Sequence, residues 1–195
     1  MGPQASARLV AMLVEKFAKQ SGPMPELILD SVPVPDFIST RSEAKNAFLM
    51  LEKRVKIMEA FNPDCFAIAC NTAHILLNDL QERTKVHFVS IIESVVRRVS
   101  ISNIRNVGLL GSPVAVSSGL YQKPLAKLGI GTIVPSNSEQ KTIESVIRRV
   151  LSGREDKDNT QILEIVASSL KAKGAGGIIL GCTELPLVFP KKIDL

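Results

Sequence analysis

Phe66-Ala-Ile-Ala-Cys70-Asn71-Thr72 runs from an apolar segment of strand length into a cysteine, and Gly177-Ile-Ile-Leu-Gly181-Cys182-Thr183 does the same. The two cysteines are 112 residues apart, more than half of the 195-residue chain. Continuous apolar runs of this length are typical of strands in parallel sheets covered on both faces. The repeat therefore predicts two similar lobes, each with one thiol at the carboxyl end of a strand.

The rest of the chain alternates short apolar runs with longer stretches of helical period. We predict strands at 26–29, 65–69, 88–91, 107–110, 132–134 and 177–180, and helices at 5–20, 42–61, 72–82, 92–99, 116–128, 137–152 and 158–173. This alternation indicates crossover units and a mostly parallel sheet. The predicted fold class is α/β, with two similar Rossmann-like lobes, parallel sheets and a cleft between them. The expected division is 1–98 for the first lobe and 99–195 for the second.

Composition and charge narrow the function classes. Apolar residues make up 45% of the chain and charged residues 22%, which is ordinary for a folded α/β protein. The net charge is +5, but the basic residues are scattered without interleaved aromatics, so no nucleic-acid partner is predicted. No apolar run approaches the ~20 residues of a membrane span, and no secretory leader is recognisable. Three cysteines form no disulfide framework, so we expect a reducing, cytoplasmic compartment.

Each cysteine stands where a strand is predicted to lead into a helix. Backbone N–H groups at a helix start bind anions such as a carboxylate, and Asn71 and Thr72 add hydrogen bonds and a helix cap. A thiol near that positive end is expected to have a lowered pKa. Cys182 and Thr183 repeat the arrangement, with Glu184 as a nearby carboxylate.

Two thiols on opposite sides of a cleft can invert a stereocentre. A thiolate removes the proton on one face of the carbon while the opposing thiol returns one from the other face. The developing charge needs hydrogen-bond donors around it, but no cofactor. The pair predicts Cys70 and Cys182 as catalytic acid/base groups.

Two other residues near the first cysteine, Cys65 and His74, can be explained by a structural role. Cys65 is interpreted as a small hydrophobic residue, since free cysteine is among the most buried residue types. His74 follows Cys70 by four residues and either tunes that thiol or is a structural histidine. No further ligands stand at suitable spacing, so no metal is predicted.

The motifs resemble those of the aspartate/glutamate racemase family, nearest its aspartate racemase branch. The similar segments are Gly2-Pro3-Gln4-Ala5-Ser6, Cys70-Asn71-Thr72-Ala73-His74, Val107-Gly108-Leu109-Leu110-Gly111-Ser112 with Ser118-Gly119-Leu120-Tyr121, and Gly181-Cys182-Thr183-Glu184-Leu185-Pro186. The resemblance implies two pseudo-symmetric lobes, a homodimer, a small amino acid or related carboxylic acid as partner, and no pyridoxal phosphate. It also implies that Asn71, Thr72 and Thr183 help to hold the substrate carboxylates. Ser112 is a further predicted substrate-binding residue, and the candidate supporting residues are Gly2, Glu184, Arg41 and His74.

The sequence also departs from that family. Its chains begin one strand earlier and continue through another strand and helix, so both are expected to be lacking here. Phe37 and Leu151 stand where the aspartate racemases carry an arginine and a lysine. Arg41 is the candidate replacement, because a buried substrate carboxylate needs a cationic partner. The sequence therefore does not predict aspartate in particular.

Three functions follow. The first is racemisation of an amino acid such as aspartate or glutamate by the thiol pair. The second is a related reaction, hydantoin racemisation or maleate isomerisation; the missing cations favour the less charged substrates. The third is a non-catalytic relative that binds a small acid.

Overall fold

A computed structural model describes the backbone of residues 3–36, 40–154 and 157–190, and side chains from Ser6 onward. Its strands are β1 (Cys65–Ala67), β2 (His87–Val89), β3 (Asn106–Gly111), β4 (Gly131–Ile133) and β5 (Ile178–Gly181). Its helices are α1 (Pro3–Phe17), α2 (Ala44–Glu59), α3 (Leu77–Gln81), α4 (Ile91–Ser100), α5 (Pro113–Ser117), α6 (Gln122–Lys127), α7 (Asn137–Leu151), α8 (Lys157–Ala172) and α9 (Leu185–Val188). A 3-10 turn at Thr72–Leu76 precedes α3.

The strands form two separate parallel sheets. In the smaller sheet β1 pairs with β2, and the rings of Phe66 and Phe88 lie opposite each other with centroids 5.2 Å apart. In the larger sheet β3 lies between β4 and β5. The predicted α/β fold with parallel sheets in two lobes is confirmed.

Both faces of the larger sheet are covered by helices. Leu110 packs in one buried cluster with residues of α7 and α8, whereas Leu109 packs in a second cluster with residues of α4 and α6. Adjacent residues of a strand point to opposite faces, so the two clusters lie on opposite sides of β3. This explains why β3 is apolar without alternation.

The smaller sheet has a core of its own. Phe66 and Phe88 pack there against Leu76 and Leu80, with α2 contributing Val55. The carboxyl ends of β1 and β5 each lead towards a cysteine, as the repeat predicted.

The predicted strand at 26–29 is wrong. Residues 23–36 form no regular element, and Leu27, Ile28 and Leu29 are 41–55% exposed. A strand exists only where a neighbouring backbone completes its hydrogen bonds. Among the described residues no strand pairs with this segment. The apolar residues of this segment were therefore not evidence of a strand.

Two predicted helices are also broken. The helix expected at 116–128 is divided into α5 and α6, because Gly119 takes a φ of +75° that a helix cannot contain. The helix expected at 72–82 begins as the 3-10 turn and has only five α-helical residues in α3.

The proposed boundary at residue 98 falls inside α4. Ile92 and Val96 of this helix pack with Val107 and Leu109 of the larger sheet. The division into 1–98 and 99–195 stays a prediction. Within the three described ranges, no helix is both long and apolar enough to cross a membrane.

Candidate active site

Cys182 lies directly beyond β5 and is 6% exposed. Gly181 before it permits a close approach to the neighbouring chain. A Cβ on Gly181 would lie 3.1 Å from the carbonyl oxygen of Leu110 and 3.4 Å from Cε2 of Tyr121. A larger residue would push the end of β5 away from β3. Gly181 therefore sets the position of Cys182 next to β3.

The thiol of Cys182 has a carboxylate as its hydrogen-bond partner. Its Sγ donates to Oε2 of Glu184 at 3.0 Å, and Oγ1 of Thr183 donates to the same oxygen at 3.0 Å. Burial, and then the charge of Glu184, raise the pKa of Cys182 well above its ordinary value, with a further contribution from Cys70. The lowered pKa expected from the sequence is wrong for this thiol.

The reason is that the expected helix starts are not there. Cys182 is followed by α9, which has four residues, and Cys70 by the 3-10 turn. Elements this short have few aligned peptide dipoles to stabilise a thiolate. Asn71 makes no side-chain cap on the turn that follows it.

Cys70 lies three residues beyond β1 and is half-buried against the core of the smaller sheet. His74 holds this loop. Its Nδ1 donates to the carbonyl oxygen of Cys70 at 2.8 Å, and its Nε2 accepts from the N–H of Ile91 at 3.0 Å. The acceptor role of Nε2 requires the neutral ring, and burial lowers the pKa of His74 accordingly. Of the two interpretations of this histidine, the contacts support the structural one.

The two residues after Cys70 reach across to the other lobe. The hydroxyl of Tyr121 donates to Oδ1 of Asn71, and Oγ1 of Thr72 lies 2.8 Å from Oγ of Ser112. All four side chains are buried. The first cysteine loop is therefore joined to the larger sheet by two buried hydrogen bonds.

Ser112 is completely buried, and its Oγ also accepts from the N–H of Ala115 at 3.1 Å. The substrate contact predicted for Ser112 from the sequence stays a prediction.

Of the remaining predicted residues, the structure describes only some. Gly2 and Phe37 lie outside the described residues. Arg41 is exposed ahead of α2 and has no ion pair among the described residues. Leu151 is half-buried and packs on the core of α7 and α8. No three side chains of histidine, cysteine, aspartate or glutamate in the described ranges converge as a metal site would require.

The sequence interpretation missed Tyr121. It is the only tyrosine of the chain and stands in one of the family-like segments. A buried phenol normally needs a hydrogen-bond partner, so this single tyrosine inside the predicted helix 116–128 was the available signal.

Two parallel-sheet lobes that each bring a cysteine loop to their contact define a two-lobed α/β class of protein. The chain matches the Asp/Glu/Hydantoin racemase family over residues 1–194, and it belongs to that family.

Known proteins resemble the chain in sequence and in fold. A glutamate racemase of Corynebacterium glutamicum is 35% identical over 127 residues, covering 62% of this chain and 44% of that protein. An aspartate racemase homologue of Pyrococcus horikoshii OT3 has 26% identity and a TM-score of 0.77, covering 97% of this chain and 84% of that one. An aspartate racemase of Picrophilus torridus has 23% identity and a TM-score of 0.76, with coverages of 97% and 80%. The chain spans about half the length of the curated glutamate racemases it matches.

Proposed function

We propose that this protein is an amino-acid racemase of the aspartate/glutamate type, an isomerase that inverts the α-carbon without pyridoxal phosphate. The observation that carries the proposal is the bond from the Cys182 thiol to the buried Glu184 carboxylate. Cys70, the second proposed acid/base group, follows β1 in a loop joined to the same lobe as Cys182. Membership of the family supports the reaction class.

In the proposed step the thiolate of Cys70 takes the α-proton of the amino acid. The Sγ–H of Cys182 then gives its proton to the opposite face of the carbanion-like carbon, which leaves Cys70 protonated and Cys182 as the thiolate. In the reverse direction the two thiols exchange roles. The raised pKa of Cys182 fits its acid role, because the thiol is protonated when the substrate arrives.

Glu184 has a defined part in this cycle. Its Oε2 accepts the hydrogen bond from the thiol, so it can receive the Sγ proton when Cys182 must act as the base. Thr183 donates to the same oxygen and holds the carboxylate in place. Glu184 is therefore proposed as the proton acceptor for Cys182.

The substrate carboxylate is proposed to bind beside the first cysteine. Oδ1 of Asn71 is taken by Tyr121, which leaves the Nδ2 donors for an anionic group. Thr72 and Thr183 carry hydroxyls next to the two thiols and are proposed as further ligands. Donors around the carboxylate stabilise the charge that develops as the α-proton leaves.

α-Proton exchange tests the proposal. The protein is incubated with L-aspartate and with L-glutamate in D₂O, and proton NMR and chiral chromatography follow loss of the α-proton and appearance of the D-isomer. Cys70→Ser and Cys182→Ser must remove formation of the D-isomer, whereas Cys65→Ser, which changes an exposed thiol, must keep it. Formation of the D-isomer at the parental rate in either active-site replacement contradicts the proposal.

A second candidate is racemisation of a less anionic substrate such as a hydantoin. It is favoured by Glu184, a buried carboxylate beside Cys182, and by Leu151, which packs into the core as an apolar residue. An anionic second substrate group near Glu184 would be repelled. Exchange with a 5-substituted hydantoin but with neither dicarboxylic amino acid distinguishes this candidate.

We also propose a cytoplasmic homodimer. Reduced thiols at Cys70 and Cys182 require a reducing compartment. Leu27, Ile28 and Leu29 are consecutive, exposed and apolar, which is typical of a surface covered by a partner. Sedimentation equilibrium of the protein and of a double variant, Leu27→Lys with Leu29→Lys, tests the dimer. A monomeric mass for both proteins contradicts it.

A further inference from the structure

Tyr121 contacts both cysteine segments at once. Its ring lies against Gly181, since a Cβ built on that glycine would be 3.4 Å from the ring carbon Cε2. Its hydroxyl reaches the other lobe and donates to Oδ1 of Asn71, the residue after Cys70. The side chain is completely buried between these two contacts.

The hydrogen bond removes an ambiguity in the amide of Asn71. An amide group can turn by half a circle and exchange its oxygen and nitrogen with little change of shape. In the structure the Tyr121 O–H donates to Oδ1, so the oxygen of the amide faces Tyr121 and the NH₂ group faces away from it. The NH₂ group then keeps its donors for another partner, and no described residue accepts from it in a hydrogen bond.

Tyr121 is suited to hold this arrangement at any working pH. Burial raises its pKa, and the charge of Cys182 raises it further, so the hydroxyl stays protonated and remains a donor. The segment that carries it is fixed as well: Leu125 donates its N–H to the carbonyl oxygen of Tyr121 at 3.1 Å in the first turn of α6.

We infer that Tyr121 is a positioning residue that orients the Asn71 amide towards the substrate carboxylate and sets the Cys70 loop against the end of β5. This inference rests on the proposed racemase function. Without the hydroxyl the amide is free to turn, and its oxygen would then face the carboxylate and repel it. The packed ring alone would still support the larger sheet, so the catalytic contribution belongs to the O–H group.

A double-substitution cycle tests the inference with Tyr121→Phe, Asn71→Ala and the two together, all in a Cys65→Ser background. The first measurement needs no turnover: it is the rate at which iodoacetamide alkylates Cys70, read by peptide mass spectrometry. Loss of one hydrogen bond is expected to raise this rate about fivefold in each single variant. Because both substitutions break the same bond, the double variant is expected to react no faster.

The second measurement is kcat/KM for the amino acid that exchanges its α-proton. Tyr121→Phe is expected to lower it roughly tenfold, partly through a higher KM, and to have no further effect in the Asn71→Ala background. Leu125→Ala is the control, since the Leu125 side chain lies in the same buried cluster as Tyr121 but has no hydrogen-bonding group to offer Asn71. At a matched loss of thermal stability it should leave the Cys70 alkylation rate unchanged.

The outcomes separate the inference from the function it rests on. Additive effects in either cycle, or a Leu125→Ala variant that matches Tyr121→Phe, overturn the positioning role of Tyr121. If the unmodified protein exchanges no α-proton with any amino acid tested, the proposed function fails and the catalytic role of Tyr121 fails with it. The alkylation cycle in that case still decides whether Tyr121 acts through Asn71.

Discussion

The Sγ of Cys182 lies 3.0 Å from Oε2 of Glu184, and both residues are buried. A carboxylate in this place opposes ionisation of the thiol, in addition to the larger effect of burial. The surroundings of Cys182 in the second cysteine loop therefore favour the protonated thiol.

Glu184→Gln is expected to lower the pKa of Cys182, because it removes the negative charge and keeps the shape. Burial is the larger cause of the raised pKa, so the value should remain above that of an ordinary cysteine. The pH dependence of Cys182 alkylation, followed by peptide mass spectrometry, measures the change. Glu164→Gln, on the exposed face of α8, is the control and should have no effect. An unchanged or higher midpoint in Glu184→Gln contradicts the role assigned to this carboxylate.

His74 should make stability depend on pH. Burial lowers its pKa below 6.5 in the folded protein, so the unfolded chain binds the proton first. The contribution of the neutral His74 ring to the free energy of unfolding is then fully present above pH 6.5. It is lost as the pH drops from 6.5 through the folded pKa. Protonation also ends the hydrogen bond from Ile91 to Nε2.

Urea unfolding at a series of pH values measures this dependence. His74→Gln is expected to flatten it in that window and to cost about 1–3 kcal/mol at neutral pH through the lost backbone bonds. His87→Gln, at an exposed position of β2, is the matched control and should leave the slope as it is. Equal slopes for all three proteins would refute the assignment to His74.

The core of the larger sheet predicts a contrast within one helix. Leu163 of α8 is completely buried, whereas Ile165 is 70% exposed. Leu163→Ala should lower the free energy of unfolding by about 2–5 kcal/mol, because it leaves a cavity. Ile165→Ala should change it by less than about 0.5 kcal/mol. Chemical denaturation of both variants tests the packing of α8, and similar losses would show that it is wrong.

Glu139 should contribute to stability in acid. Hydrogen bonds from Ser169 and from Ser136, whose side chain caps α7, hold its pKa at about 2 in the folded protein. A lowered pKa means that this stability is present above the ordinary carboxyl pKa and is lost as the pH falls towards 2. Glu139→Gln should therefore unfold with a weaker dependence on pH below about 4.5 in thermal melts. A dependence equal to that of the parent protein would contradict this.

The fold was largely readable from the sequence because its signals are local. The apolar runs of β1, β3 and β5 and the helical period of α7 and α8 appear where they were expected. The segment 26–29 misled because pairing with another strand is a property of the whole sheet. The break in the 116–128 helix depends on the φ of one residue, Gly119.

The site was only half readable for a similar reason. Cys70 and Cys182 were marked by their repeated context, and Glu184 by its nearness in sequence. The contact of Asn71 with Tyr121 joins residues 50 positions apart, so no spacing rule reveals it. The pKa of Cys182 was predicted with the wrong sign, because burial and the direction of the Glu184 side chain are tertiary features.

Two thiols are proposed to share the transfer of the α-proton, and hydrogen exchange with inversion at the α-carbon is the sharpest test of this pairing. Each enantiomer of aspartate and glutamate is incubated in D₂O with the parent protein, Cys70→Ser, Cys182→Ser and Cys65→Ser. We expect deuterium at the α-carbon and formation of the opposite enantiomer with the parent protein and with Cys65→Ser. Each of the other two replacements is expected to lower racemisation by at least about a hundredfold. Racemisation at the parental rate in either Cys70→Ser or Cys182→Ser would contradict it.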